Sequence, residues 1–362
     1  MNIMPISPLH KRFSFPLLEW FDRHGRKDLP WQQLTGAYPV WISEIMLQQT
    51  QVKTVIPYFN RFISRFPDIK TLANAPIDDV LALWSGLGYY SRARFIHQTA
   101  KRICSDFANE FPQDINLLKS LPGIGPSTAA AIASLVFHQP TPILDGNVKR
   151  VLARYFLVSA PVNTSTAIKK LWKLAADCMP SSRCRDYTQA IMDLGATCCT
   201  FKNPSCHSCP LNKTCRARLQ EEVANYPNKG PKKIRPTKHQ QFILLHTKNN
   251  QVYLEKNPPA GLWGGLWCLP SIEANDSAAA FIQEKHGIKI DSPKELMTIK
   301  HSFTHFHLRI RVISIEVTGL MPALGIDSDL FHPNDIDRVG LAKPIRDILQ
   351  FFLSQNKNQI DL

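Results

Sequence analysis

Three groups of residues in this 362-residue chain have the types and spacing that chemistry requires. The first is four cysteines, Cys199, Cys206, Cys209 and Cys215, in a C-x6-C-x2-C-x5-C run through a loop of Pro, Ser, Asn and Lys too poor in apolar residues to fold alone. Thiolates crowded this way gain order by sharing a metal centre, which supplies the loop's folding energy. A disulfide pair, a structural zinc and an iron-sulfur cluster compete for them. The opening MNIMPISPLHKRF lacks a secretory apolar core, which predicts a reducing cytoplasm and argues against disulfides. A single unbroken run with one C-x2-C step and a following Pro210 favours a four-iron cluster over zinc, whose sites usually pair two separated C-x-x-C-type steps. Cys198, next to the run, reads as a buried small apolar residue, because neighbouring side chains rarely reach one point.

The second group is a pair of carboxylates in contrasting settings. Glu44 lies in VWISEIMLQQ beside Trp41 and Ile45, where partial burial would raise its pKa and keep a proton for donation; the ordinary alternative is an exposed helix glutamate. Asp145 stands in PILDGNVKRVLARYF, ahead of a helix expected from about Val148. As an N-cap it would meet backbone N–H groups, a setting that keeps a carboxylate ionised to face developing positive charge. The third group is LPGIGPSTA, Leu121 to Ala129, with two glycines in a tight hairpin before a helix that starts at Ser127 and Thr128. Such a turn aims N–H groups outward at a helix N-terminus, where phosphate binds. It is a helix-hairpin-helix signature, and beside the cysteine run it points to DNA backbone binding rather than to a plain packing corner.

The elements that must position these groups follow from composition. From Phe15 to about Leu219, apolar residues recur at three- and four-residue steps, in VWISEIMLQQTQVKTVIPYFNRF, DDVLALWSGL, STAAAIASLVF, NVKRVLARYFLV and AIKKLWKLAADCM. Breaks are expected at Pro39, Pro57, Pro67, Pro76, Gly86, Gly88 and Pro122. YPNKGPKKIRPTK reads as a stiff basic linker. Beyond it QFILLHT, QVYLEK, WCLP and LRIRVISIEV are strand-like, and AAAFIQEKHG and KPIRDILQFFLSQ helical. The expected organisation is multidomain: an all-α region over 1–224, a linker over 225–239, an α/β domain over 240–355 and a tail over 356–362. Net charge is +14; residues 1–224 carry 26 basic against 16 acidic side chains, the linker five against none, and the remainder 12 against 13. A basic first region and linker suit a polyanion, most simply nucleic acid. No run is long and apolar enough to span a membrane.

Read together, SEIMLQQTQV (43–52), GLGYYSRAR (86–94), LPGIGPSTA, ILDGNVKRVLAR (143–154), MDLGA (192–196) and the cysteine loop resemble the MutY adenine DNA glycosylases of the helix-hairpin-helix superfamily. The resemblance runs from about Leu29 to the last helix. It implies a six-helix barrel, a helical module with a 4Fe-4S cluster on the four cysteines, and a C-terminal Nudix-like domain. The implied activity is hydrolysis of the N-glycosyl bond of adenine opposite 8-oxoguanine or guanine in duplex DNA, by a monomer in the cytoplasm, on the nucleoid if the source is bacterial. Glu44 would protonate the leaving base and Asp145 stabilise the oxocarbenium-like sugar, the two-carboxylate logic of glycoside hydrolysis. The resemblance further implies that Gln49 and Tyr89 wedge into the base stack. Trp31, Ser127 and Gln189 would line the adenine pocket, and Thr50 and Leu87 would lie near the opposite base. Gly123, Gly125 and Lys149 would meet the DNA backbone.

Endonuclease III-type relatives, which also cut the strand, place a nucleophilic lysine where this chain has Ser127. A hydroxyl cannot form a Schiff base, so base excision with little or no lyase activity is expected. In the C-terminal domain the family's Phe-Ser-His loop reads Phe303, Thr304 and His305, which keeps the hydroxyl and adds a methyl. His305 and His307 are expected on one face of a strand behind a hairpin tip. Pro126 replaces a basic residue common in the family, and the acidic Nudix box is absent, so this domain should recognise rather than catalyse. An endonuclease III-like enzyme acting on oxidised pyrimidines and a non-catalytic DNA damage binder are the rival readings.

Overall fold

A computed structural model describes residues 8–231, 234–288, 290, 293–317 and 324–357; residues 232–233 of the expected linker and 358–362 of the expected tail lie outside them. Helices occupy the described chain up to the linker, and no strand occurs there before Thr237. In the Pro8–His24 helix, Phe13, Leu17, Leu18 and Phe21 share one face and are at most 6% exposed. They pack with Tyr187 and Ile191 of the Cys184–Asp193 helix and Val151 and Leu152 of the Gly146–Phe156 helix in one core. Each such side chain contributes about 2 kcal/mol on leaving water. Among the described residues no helix is long and apolar enough to cross a membrane.

Two of the expected breaks do not occur. Pro39 sits in the first turn of the Ala37–Leu47 helix, where its missing N–H removes no intrahelical bond, and Pro57 lies inside the Val52–Arg65 helix. Pro57 and Lys53 are both exposed, so water can take the carbonyl that the ring leaves without a partner. The stretch from Val40 to Phe62 divides instead at Gln48–Gln51.

The chain forms two compact units that do not follow chain order. One takes the described residues up to 73 with 98–231, and the other takes 74–97 with those from 234 on. Residues 74–97 join the second unit through polar contacts. Ser85 Oγ and Tyr90 Oη donate to the Leu341 carbonyl at 2.7 and 3.0 Å, and Lys256 pairs with Asp78.

Among the described residues the second unit is built on a seven-stranded mixed sheet. Its strands are β1 (Thr237–His246), β2 (Val252–Lys256), β3 (Trp267–Cys268), β4 (Ser271–Glu273), β5 (Lys294–Ser302), β6 (His307–Glu316) and β7 (Ser328–Phe331). The order is β3-β2-β1-β6-β5, with β4 on β1 and β7 on β2. β1 and β6 run parallel from Thr237↔His307 to His246↔Glu316. Phe242–Leu245 is a continuous buried run because both faces of the sheet are covered. Ile243, Leu245, Ile313 and Ile315 meet Ala278 and Ile282 of the Ala278–His286 helix. His305 is not on a strand with His307, as the alternation suggested. Pairing ends at Ser302↔His307, and Phe303 N–H donates to the Phe306 carbonyl at 2.9 Å, so Thr304 and His305 form the tip of the turn.

Candidate active site

Four loops and helix ends of the first unit enclose a cavity of about 880 Å³. Trp31 enters from a short 3-10 turn, Pro30–Gln32, which Gln32 closes by accepting the Leu29 N–H at 3.2 Å. Its buried ring packs edge-on to Phe59. Glu44 comes from the middle of the Ala37–Leu47 helix, and Gln49 and Thr50 from the turn after it. Gln49 takes a left-handed backbone, φ 59°, uncommon for a residue with a side chain and concentrated at functional sites. Ser127 lies at the start of the Pro126–Leu135 helix, where its hydroxyl accepts the Leu144 N–H at 3.3 Å and so steadies the approach to Asp145. Gln189, from the Cys184–Asp193 helix, completes a set in which seven expected site residues line one cavity: Trp31, Glu44, Gln49, Thr50, Ser127, Asp145 and Gln189. Gly123 and Gly125 lie in the hairpin ahead of the Pro126 helix, with Gly123 at φ 74°, and Lys149 follows Asp145 by one helical turn; these three do not line the cavity.

The two carboxylates differ in what acts on them. The helix behind Asp145 starts at Gly146, earlier than expected, and Asp145 is its N-cap, accepting the Val148 N–H at 2.7 Å. Burial is the largest influence on Asp145 and raises its pKa, a direction opposite to that expected of a simple N-cap. The N–H groups of Val148 and Asn147 and the charges of Arg150 and Lys149 all pull it back. For Glu44 burial is again largest, and the negative charge of Asp145 adds to it, pushing the pKa up to about 8. Burial favours the acid at both carboxylates; at Glu44 the charge of Asp145 adds to it, whereas at Asp145 the neighbouring N–H groups and the charges of Arg150 and Lys149 oppose it.

Composition and motif gave no sign of the ion pair behind this cavity. Asp193 is fully buried; it accepts the Arg26 backbone N–H at 2.8 Å and the Arg26 guanidinium at 2.9 and 2.6 Å. It also accepts the Gln189 side-chain amide at 2.8 Å. With one amide hydrogen committed, Gln189 keeps its carbonyl oxygen as an acceptor and one N–H as a donor for a ligand. The chain then passes through one π-helical turn, Leu194–Cys198, a distortion often found beside functional sites. Gly195 in this turn approaches Asn147 so closely that a Cβ there would lie 2.6 Å from the Asn147 Cβ.

The cysteine loop is fastened to the helix that Asp145 caps. Arg150 donates to the Cys199 carbonyl at 2.8 Å and to the Gly195 carbonyl at 2.5 Å. Arg154, 2% exposed, donates to the carbonyls of Tyr226, Thr200 and Phe201 and to Cys199 Sγ at 3.3 Å. Among the described residues it has no carboxylate acceptor, so this buried cation suits an anionic thiolate group beside it. Burial raises the thiol pKa of Cys206 and Cys215, and charge on Cys199 raises both further. Cys199, Cys209 and Cys215 pack against the helical core, and Cys198 is buried in it. Among the described residues no group of three or more His, Cys, Asp or Glu side chains is arranged to hold a metal ion.

The second unit has its own cavity, of about 670 Å³, lined by Leu87, Tyr89, Thr304 and His305 among others. Leu87 is buried, while Tyr89 is 46% exposed at φ 49° and its hydroxyl lies 3.3 Å from that of Thr304. Behind the turn the ring of Trp263 meets His301 and Phe303, each at 5.8 Å, and Phe303 stacks on Phe306 at 4.7 Å. Trp263, at φ 51°, was not singled out in the sequence; its position in a glycine-rich stretch was the available signal.

Residues 42–176 match the family of HhH-GPD superfamily base excision DNA repair proteins, and residues 241–351 match the NUDIX domain family. The chain is 40% identical over 349 residues to the adenine DNA glycosylase of Buchnera aphidicola subsp. Acyrthosiphon pisum, covering 94% of this chain and 97% of that one. It is 33% identical to the adenine DNA glycosylase of Rattus norvegicus, covering 88% and 75%, and 32% identical to that of Homo sapiens, covering 86% and 68%. Among solved structures, a thermostable thymine-DNA glycosylase superposes with a TM-score of 0.53 at 27% identity, covering 59% of this chain and 97% of that one.

Proposed function

This chain belongs to the adenine DNA glycosylase family, and from that premise we propose that it excises adenine opposite 8-oxoguanine or guanine in duplex DNA, as a monomer that leaves an abasic site uncut. As a DNA glycosylase it hydrolyses an N-glycosyl bond. The target base must leave the duplex to be reached, and a mispaired base costs less to extrude. In this reading it enters the first unit's cavity against Trp31, and the Gln189 carbonyl accepts from the exocyclic amine, a donor that a 6-oxo purine lacks. Glu44 protonates the base, the C1′–N9 bond breaks, and Asp145 stabilises the positive sugar until water adds at C1′. Gln49 would fill the space that the base vacates, and Thr50 would face the opposite base. In the second unit, Tyr89 would wedge into the base stack, Leu87 would lie near the opposite base, and Thr304 and His305 would check for 8-oxoguanine. Gly123, Gly125 and Lys149 would hold the backbone.

The observation that carries the reading is that Glu44 and Asp145 line one cavity, Glu44 with its pKa pushed up to about 8 and Asp145 set against the Val148 N–H and the charges of Arg150 and Lys149. Single-turnover assays on duplexes with adenine opposite 8-oxoguanine, guanine and thymine test it. Free adenine is expected from the first two and little from the third. No adenine from the mispairs, or full activity in Glu44→Gln, would sink the proposal. Release of an oxidised pyrimidine with strand cutting would favour the endonuclease III-like reading, which Ser127 argues against.

Cys199, Cys206, Cys209 and Cys215 are assigned to a 4Fe-4S cluster, supported by their spacing and by the carboxylate-free burial of Arg154 beside Cys199. Such a group, when bound, supplies a rigid cross-link for a loop that cannot bury enough apolar surface by itself. Iron and sulfide analysis of the purified chain, with Cys206→Ser losing both, checks the assignment.

A further inference from the structure

The large cavity of the first unit is not the only space against Glu44. A smaller one, of about 230 Å³, shares Arg26, Trp31, Glu44 and Gln189 with it and is otherwise walled by different residues. Chain order along two helices gives the arrangement. On the Ala37–Leu47 helix, Val40 lines only the small cavity, Glu44 both, and Leu47 only the large one. On the Cys184–Asp193 helix, Arg185 lines only the small cavity, Gln189 both, and Met192 only the large one. Four helical residues span about 6 Å, so the two spaces are successive stretches of one groove that meet at Glu44 and Gln189. The exposed lining residues are Gln49, Gln51, Lys53, Gly146 and Ala196 for the large cavity, and Lys27 and Arg185 for the small one.

We infer that the small cavity is an exit site for the free purine base, which takes adenine after bond cleavage and releases it between Lys27 and Arg185 while the abasic strand still fills the large cavity. The inference rests on the excision reading above. Its volume of about 230 Å³ lies below the roughly 300 Å³ at which sites for drug-sized ligands begin, which suits a bare base and excludes a strand. Its walls suit a flat heteroaromatic molecule, with the rings of Trp31 and Phe21 and a Gln189 whose orientation Asp193 fixes. Proton balance makes the passenger neutral. The proton from Glu44 leaves on adenine, the C1′–N9 electrons go to the base, and the attacking water gives its oxygen to C1′ and its proton back to the carboxylate. A neutral base can therefore pass between two cations without a counterion.

Leu135 lines only the small cavity, so Leu135→Trp takes up its space without replacing a shared residue. With duplex carrying labelled adenine under single turnover, rapid quench reports bond cleavage, and rapid filtration reports base freed from the protein–DNA complex. Cleavage should stay within about twofold of wild type, while free adenine appears about tenfold more slowly. Adenine added to the preformed wild-type complex with abasic DNA should bind saturably. Release as fast as wild type from a Leu135→Trp that still cleaves overturns the inference and leaves excision standing, whereas no cleavage by wild type overturns the excision reading itself. Should Leu135→Trp not fold, as circular dichroism reports, the wild-type complex decides: saturable adenine binding supports the exit site, and none overturns it.

Discussion

Replacing Glu44 by Gln should remove excision and, above neutral pH, stabilise the fold. Burial, reinforced by the charge of Asp145, lifts the Glu44 pKa from 4.5 to about 8. Below pH 4.5 the group is protonated in the folded and unfolded chain alike, and it costs nothing. Between 4.5 and about 8 the unfolded chain has lost the proton that the fold keeps, so stability falls as pH rises, by about 1.4 kcal/mol per pH unit. Above 8 both states are ionised and the loss is complete, at most about 5 kcal/mol and less because the cavity leaves Glu44 partly accessible to water. Gln has no such dependence. The gain in unfolding free energy of Glu44→Gln over wild type, from denaturant titrations at pH 5, 7 and 9, should therefore climb from near zero to roughly 2 kcal/mol or more. In parallel, the wild-type single-turnover rate should fall as pH passes about 8, and the variant should lose about 10²–10⁴ in rate at pH 7. A stability difference that does not change with pH, or a wild-type rate level beyond pH 9, would refute the assignment of the proton to Glu44.

Asp145→Asn keeps an N-cap acceptor for Val148, so unfolding free energy should shift by under about 1 kcal/mol, while single-turnover excision falls about 10²–10³. Gly195→Ala places a methyl 2.6 Å from the Asn147 Cβ, which should displace the Gly146 helix start and lower the excision rate more than DNA affinity, as read by single-turnover kinetics beside a binding titration. Asp193→Asn leaves Arg26 without its carboxylate and should cost about 3–5 kcal/mol in denaturant unfolding. Ser127→Lys puts an amine in the cavity near Asp145, and borohydride should then trap a covalent complex with abasic DNA that wild type does not form.

Much of the site was legible because its residues sit in short stretches with local meaning. Asp145 announces itself as an N-cap before a basic helix, and the paired glycines of LPGIGPSTA mark a hairpin ahead of Ser127. What the sequence did not disclose is what depends on distant partners. Arg26 and Asp193 are 167 residues apart, and neither carries a pattern that names the other. The rise in the Asp145 pKa was missed for the same reason, since a cap motif tells of local N–H groups and not of burial by remote helices. Pro57 misled because a proline can be accommodated inside a helix where the abandoned carbonyl is exposed to water. His305 misled because alternation was read through a turn that a Phe303–Phe306 backbone bond closes. The grouping of 74–97 with the far end of the chain rests on contacts such as Tyr90 to Leu341, which periodicity cannot foresee.

Arg150 and Arg154 project from the same helix whose first turn Asp145 caps, and both grip the polypeptide that leads into the cysteines. The aspartate's aim is therefore tied to a loop that does not line its cavity. Damage there would surface as misdirected chemistry in an otherwise intact molecule, and selection on reactivity must extend to residues whose only task is to keep that distant anchor taut.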